Sequence, residues 1–277
     1  MNEALLQPTA FSPVVYSLAA EGGNVGLCVG KEGVLVVDIP RTSEVARVRD
    51  ALGRLSPGPL RFLANTHVHG DHVAGNAELG KQMLVIAHAN VRKRMMSEQR
   101  ITVGFSATNP AYPPEAWPRL IFDQSLTLYL NDEEIRLVHF PQGHSDSDVV
   151  VWFCKANVAH LGDIFWSPMF PFVDVENGGS VAGLIRNVER LLDLLPPATR
   201  LIPGHGVMSD MDGLRAYYRM LVETSEWICA QRRAGHGAAE IVQSMPEEWQ
   251  HWGRQFISVS IWVDLVLYSY GLSEEKA

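Results

Sequence analysis

Thr66-His67-Val68-His69-Gly70-Asp71-His72 is the stretch on which the reading of this chain turns. Four side chains able to hold a metal ion fall within the six residues from His67 to His72. Neutral imidazole nitrogens and a carboxylate oxygen suit a borderline cation such as zinc. In an extended loop, residues two apart point the same way, so His67 and His69 can share one ion while Asp71 and His72 turn toward another. Gly70 supplies the sharp turn that such crowding needs. A merely solvated polar loop does not account for three histidines at this spacing.

Working outward, the apolar run Arg61–Asn65 reads as a buried strand leading into the histidines. Upstream, Val14–Ala19, Gly26–Gly30 and Val34–Asp38 read as strands separated by glycine turns. A helix is predicted from Thr42 to about Ser56-Pro57-Gly58. Downstream, the pattern predicts a helix over Val73–Lys81, a strand over Met83–Ala87 and a helix from Asn90 to about Gln99. From Thr102 to Pro118 prolines and glycines break any regular element, and Phe105, Tyr112 and Trp117 add aromatic rings. A loop of this length inside a domain is a candidate lid.

Strands resume at Leu120–Asp123, Leu126–Leu130, Glu134–Phe140, Val149–Phe153 and Val158–Leu161. Ser180–Leu195 carries a helical stripe, and Arg200–Pro203 reads as one more strand. From about Met211 the chain is helix-rich, an extension of one domain covering residues 1–277. The alternation of strands and helices in each half predicts two β layers with helices outside.

Three more pieces repeat the logic of the histidine stretch. His144, in Gly143-His144-Ser145-Asp146-Ser147-Asp148, follows one predicted strand. Asp163, in Gly162-Asp163, follows another, and His205, in Pro203-Gly204-His205-Gly206, follows a third. Four candidate sites at the C-terminal ends of predicted strands give a rigid way to build a metal centre. Trp166, Phe170 and Phe172 come soon after Asp163; they either line an apolar substrate pocket or pin a proline-containing loop to the core. His88, His139, His160, His236 and His251 lack such a setting and read as structural.

These residues resemble the metallo-β-lactamase superfamily of hydrolases. The H-x-H-x-D-H motif stands complete as His67, His69, Asp71 and His72, and His144, Asp163 and His205 follow in the family's order. The resemblance implies an α/β fold, an αββα sandwich of two mixed sheets flanked by helices, with two zinc ions in a cleft at one edge and iron or manganese as other occupants. By that pattern His67, His69 and His144 hold the first ion, Asp71, His72 and His205 the second, and Asp163 bridges both. Asp38 stands where the family has an early aspartate, although it is followed here by Ile39-Pro40, and is expected to orient a ligand histidine.

The expected function is hydrolysis of a small molecule at a thioester, lactone or β-lactam bond by a metal-bridging hydroxide, with Asp71 assisting the attack. The rival is an iron-dependent oxidoreductase of the same fold, of the sulfur dioxygenase kind. The net charge of −8, with no basic cluster, argues against nucleic acid as a partner. No apolar stretch approaches the ~20 residues of a membrane helix. Three scattered cysteines and an N-terminus without a signal-peptide pattern predict a reduced, cytoplasmic protein. A homo-oligomer is left open.

Overall fold

The computed structural model describes residues 5–55 and 58–273. Two mixed sheets carry the fold. In the first, the spatial order is Thr9–Ala10, Val15–Ala20, Gly23–Gly30, Gly33–Val37, Leu60–Ala64, Leu84–His88 and Leu120–Phe122. Its early strands pair antiparallel and its last four run parallel. The second sheet follows the order Ser125–Leu130, Glu133–His139, Val149–Phe153, Val158–Ser167, Arg200–Gly206 and Ser209–Asp210, with only Val158–Ser167 and Arg200–Gly206 parallel.

The period-two alternation of the strands produces the layers. Val34 and Val36 face outward against Val45, Val48 and Leu52 of helix Glu44–Leu55. Leu35 and Val37 face inward and meet Leu137, Val149, Val151 and Phe153 of the second sheet. On that sheet's far side, Val150, Ala159 and Leu161 pack under helices Val181–Leu194, Met211–Arg233 and Val259–Ser269. Helix, sheet, sheet, helix is the αββα sandwich that the sequence led us to expect. Helix Val181–Leu194 starts where Ser180 Oγ accepts from Gly183 N at 2.9 Å, and Met211–Arg233 where Asp210 accepts from Asp212 and Gly213.

Several expected elements differ. The helix expected over Val73–Lys81 is two short turns, Gly70–Val73 and Asn76–Leu79. They are separated at Gly75, where a Cβ would lie 2.4 Å from Ile39 Cγ1. The helix expected to reach Gln99 stops at Met95, because Gln99–Ile101 pairs with Ala107–Asn109. That hairpin, and a 3-10 turn at Pro114–Ala116, put regular structure into the 102–118 segment. Strand Val158–Leu161 runs on to Ser167 through register shifts, and Arg200–Pro203 runs on to Gly206. Asp163, Trp166 and His205 therefore lie inside strands rather than after them. The expected helix end at Ser56-Pro57 lies outside the described residues. No helix among the described residues is long and apolar enough to cross a membrane.

Candidate metal centre

Strands Gly33–Val37 and Leu60–Ala64 run parallel, so Asp38 and the turn Asn65–His72 emerge at the same edge. Strands Val158–Ser167 and Arg200–Gly206 bring Asp163 and His205 to it, and the turn after Glu133–His139 brings His144. The result is two groups of donors. Ligating atoms of His67, His69, His144 and Asp163 all lie within 4.8 Å of one another, as do those of Asp71, His72 and His205. The Asp163 carboxylate joins the groups: Oδ2 is 3.4 Å from His144 Nε2 and 3.3 Å from His205 Nε2, and Oδ1 is 3.1 Å from His72 Nε2.

Hydrogen bonds behind three of the rings decide which nitrogen faces inward. His144 Nδ1 donates to the Phe172 carbonyl at 2.7 Å. His69 Nε2 meets Asp174 Oδ2 at 2.8 Å, and His72 Nδ1 meets Asp38 Oδ2 at 2.8 Å. With these contacts made, His69 Nδ1 and His144 Nε2 face each other only 2.8 Å apart, a separation that a shared proton or a coordinated cation must bridge. His67 Nε2 and Asp163 Oδ1 are buried without a hydrogen-bond partner among the described residues, a costly state for polar atoms that a coordinated ion removes. The donor set, imidazole and carboxylate only, fits a divalent cation.

The electrostatics agree. Burial pushes the His144 imidazole down to about 4 and the His67 imidazole well below its usual range, so both stay neutral and able to coordinate. Burial works against charge on Asp163 and Asp71, but the surrounding histidines prevail. They hold Asp163 well below the carboxylate range and Asp71 at about 2. Burial likewise opposes charge on His205, yet Asp163 and Asp71 pull it up to about 9. The cluster is a place that demands positive charge.

Asp38 lies behind His72 and also accepts from Thr66 N at 2.7 Å and Thr66 Oγ1 at 2.6 Å, at a φ of 62°. Trp166 lies with its ring centroid 4.1 Å from that of His205, and Phe172 stands 5.8 Å from His69. Phe170 is fully buried and stacks on Trp262, so its ring belongs to the core and not to the cleft. His88 and His139 stack on each other, and His160 bonds the Asn24 carbonyl, all outside both donor groups. Sequence reasoning missed Asp174, whose signal was a lone carboxylate in Val173-Asp174-Val175. It also missed Asp148, which accepts from Ser145 N and Oγ and shapes the turn after His144. Burial pushes the Asp148 carboxyl up to about 7.

The family model of the metallo-β-lactamase superfamily matches residues 18–205. The chain belongs to that superfamily, and its two donor clusters form a candidate metal-binding site. A probable metallo-hydrolase from Burkholderia pseudomallei is 28% identical over 157 residues, covering 53% of this chain and 52% of that protein. An uncharacterized protein from Aquifex aeolicus is 28% identical over 141 residues, 50% of this chain and 65% of its own. The chain thus spans between half and two thirds of the length of the curated relatives it matches. Among solved structures, a stereoselective inverting sec-alkylsulfatase from Pseudomonas sp. superposes with a TM-score of 0.70 at 14% identity, over 96% of this chain and 50% of that one. A metallo-β-lactamase from Pontibacter korlensis gives a TM-score of 0.60 at 15% identity, over 78% of this chain and 99% of that one.

Proposed function

We propose that this protein is a dinuclear, zinc-dependent hydrolase of a small molecule carrying a thioester, lactone or β-lactam bond. The observation that carries the reading is the pair of donor groups joined by Asp163, with the rings of His69, His72 and His144 each held from behind so that the other nitrogen faces the cluster. His67, His69 and His144 would hold one ion, Asp71, His72 and His205 the other, and Asp163 both. Bound there, two divalent cations supply a water whose pKa falls toward ~7 and a Lewis acid for the scissile carbonyl.

The chain's own residues do the rest. Asp174, Asp38 and the Phe172 carbonyl keep the rings oriented, so no reorganisation is needed when substrate arrives. Asp71 is ionised, and its side chain is 40% exposed, against 2% for Asp163. It can therefore take a hydrogen bond from an attacking water on the open side. No serine or cysteine nucleophile is required, so the reading includes no covalent intermediate. The acidic balance supports a small molecule over nucleic acid as substrate, and three free cysteines support a reducing, cytoplasmic setting.

The test is a screen of zinc-, iron- and manganese-loaded protein against thioesters, lactones, a chromogenic β-lactam, alkyl sulfate esters and phosphodiesters, with His69→Ala as control. Hydrolysis of a carbonyl substrate that requires metal and disappears in His69→Ala supports the proposal. Activity that survives His69→Ala, or a purified protein holding fewer than two divalent ions per chain after loading, overturns it. Sulfur oxidation with iron alone would favour the oxidoreductase.

A further inference from the structure

The metal ligands are unequally covered. Side chains of His67, His72, His144 and Asp163 are no more than 2% exposed, whereas His69, His205 and Asp71 keep 13%, 16% and 40%. Substrate can reach the cluster only from that second side. On the same side, in the proline-rich segment whose role the metal ligands leave unexplained, stands Tyr112. Its hydroxyl lies 3.1 Å from where a Cβ on Gly70 would be, and among the described residues no other side chain beyond Gly70's chain neighbours comes within 4 Å of that position. Gly70 separates the ligands His69 and Asp71.

The ring is anchored and the hydroxyl is not. Tyr112 packs with Val68, Val73, Val91, Met95 and Trp117. Its backbone N–H donates to the Met95 carbonyl, and its own carbonyl accepts from Trp117 Nε1. Its hydroxyl makes no hydrogen bond among the described residues and is not sealed from solvent. A rigidly held phenol with a free O–H at the rim of an anionic reaction is a preorganised donor. We infer that the Tyr112 hydroxyl contacts the substrate, donating a hydrogen bond to the oxygen on which negative charge grows as the scissile bond is attacked. Burial and the neighbouring Asp71 carboxylate raise the phenol above its ordinary value, so it keeps its proton to donate.

The inference rests on the hydrolase reading, and two measurements separate their failures. Tyr112→Phe keeps the anchored ring and removes only the hydroxyl. In the zinc-loaded protein it should retain the wild-type metal content and thermal midpoint. For any ester or thioester the wild type accepts, kcat should fall by roughly 10²-fold while KM changes little. Binding of inorganic phosphate, a simple oxyanion probe, should weaken by about tenfold in calorimetric titration, a loss of ~1.4 kcal/mol. If the wild type hydrolyses nothing in the screen, the hydrolase reading falls while the phosphate comparison still decides the role of Tyr112. Equal phosphate affinity in the two proteins, no phosphate binding by either, or a lowered midpoint with unchanged affinity and kcat overturns the inference; the last would assign Tyr112 to packing.

Discussion

Asp174 Oδ2 lies 2.8 Å from His69 Nε2, and this contact leaves His69 Nδ1 as the nitrogen that faces His144 across the donor cluster. A carboxylate behind a metal-binding imidazole fixes its tautomer and raises its basicity. Asp174→Ala frees the ring to rotate and protonate at either nitrogen. We expect a ~10–100-fold loss in metal affinity or hydrolytic rate with the fold retained, measured by competition with a chromogenic chelator. Unchanged affinity would show that His69 is oriented by packing alone.

Asp38 satisfies three donors at once: Thr66 N, Thr66 Oγ1 and, through its outer nitrogen, His72. All are buried. Removing the acceptor leaves them unpaired, so Asp38→Ala should cost about 2–4 kcal/mol in urea unfolding. It should also lower the metal content per chain, because His72 loses the contact that aims it at the second donor group.

Gly204 makes room for Asp163. A Cβ there would stand 2.0 Å from Asp163 Oδ1 and 2.7 Å from the Gly162 carbonyl carbon. Backbone on one side and a fixed carboxylate on the other leave no easy relief, so Gly204→Ala should displace the bridging carboxylate and reduce bound metal. Gly53 is the control, since no side chain of the described residues beyond its chain neighbours lies within 4 Å of its Cβ position in helix Glu44–Leu55. Gly53→Ala should leave metal binding intact and raise stability by up to ~1 kcal/mol.

The C-terminal helices brace the loop that carries Phe172. Trp262 is fully buried, stacks on Phe170, and donates from Nε1 to Thr224 Oγ1 at 2.9 Å. Its truncation opens a large void, and Trp262→Ala should destabilise the protein by about 3–5 kcal/mol in denaturant unfolding. Because the Phe172 carbonyl orients His144, metal affinity should fall as well, by less than in Asp174→Ala.

His88 and His139 stack with ring centroids 3.6 Å apart, away from the donor clusters. Burial lowers both imidazoles below their ordinary 6.5, and His139 is lowered further by His88. As pH falls from 6.5 toward those lower values, the unfolded chain takes up protons that the folded one refuses, so stability is lost on acidification. His139→Phe keeps the stack and removes the second charge. Melting curves between pH 7 and 5 should show a shallower acid limb for this variant, by on the order of a few degrees. Identical limbs would mean the pair does not titrate in that window.

Much of this molecule is written locally. Alternation in Val34–Val37 and Val149–Phe153 assigns one face of each strand to the inter-sheet core and the other to helices, because successive side chains point to opposite faces. Four of the donors are named by adjacency in His67–His72, and the other three announce themselves as His144, Asp163 and His205 in turn-like settings. Spacing also misled: the strands carrying Asp163 and His205 run longer than their apolar runs, since parallel pairing with register shifts tolerates Gly162 and Gly204 inside them.

What only the tertiary structure decided is the role of residues whose partners lie far away in the chain. Asp174 is 105 positions from His69, and Tyr112 reaches Gly70 from a segment with no periodic signal. The sequence by itself determined the scaffold and the donor types, because both follow from short-range pattern and side-chain chemistry. Which nitrogen of each imidazole faces inward, and which hydroxyl stands over the open side, depends on hydrogen bonds and contacts that exist only once the two sheets have closed on each other.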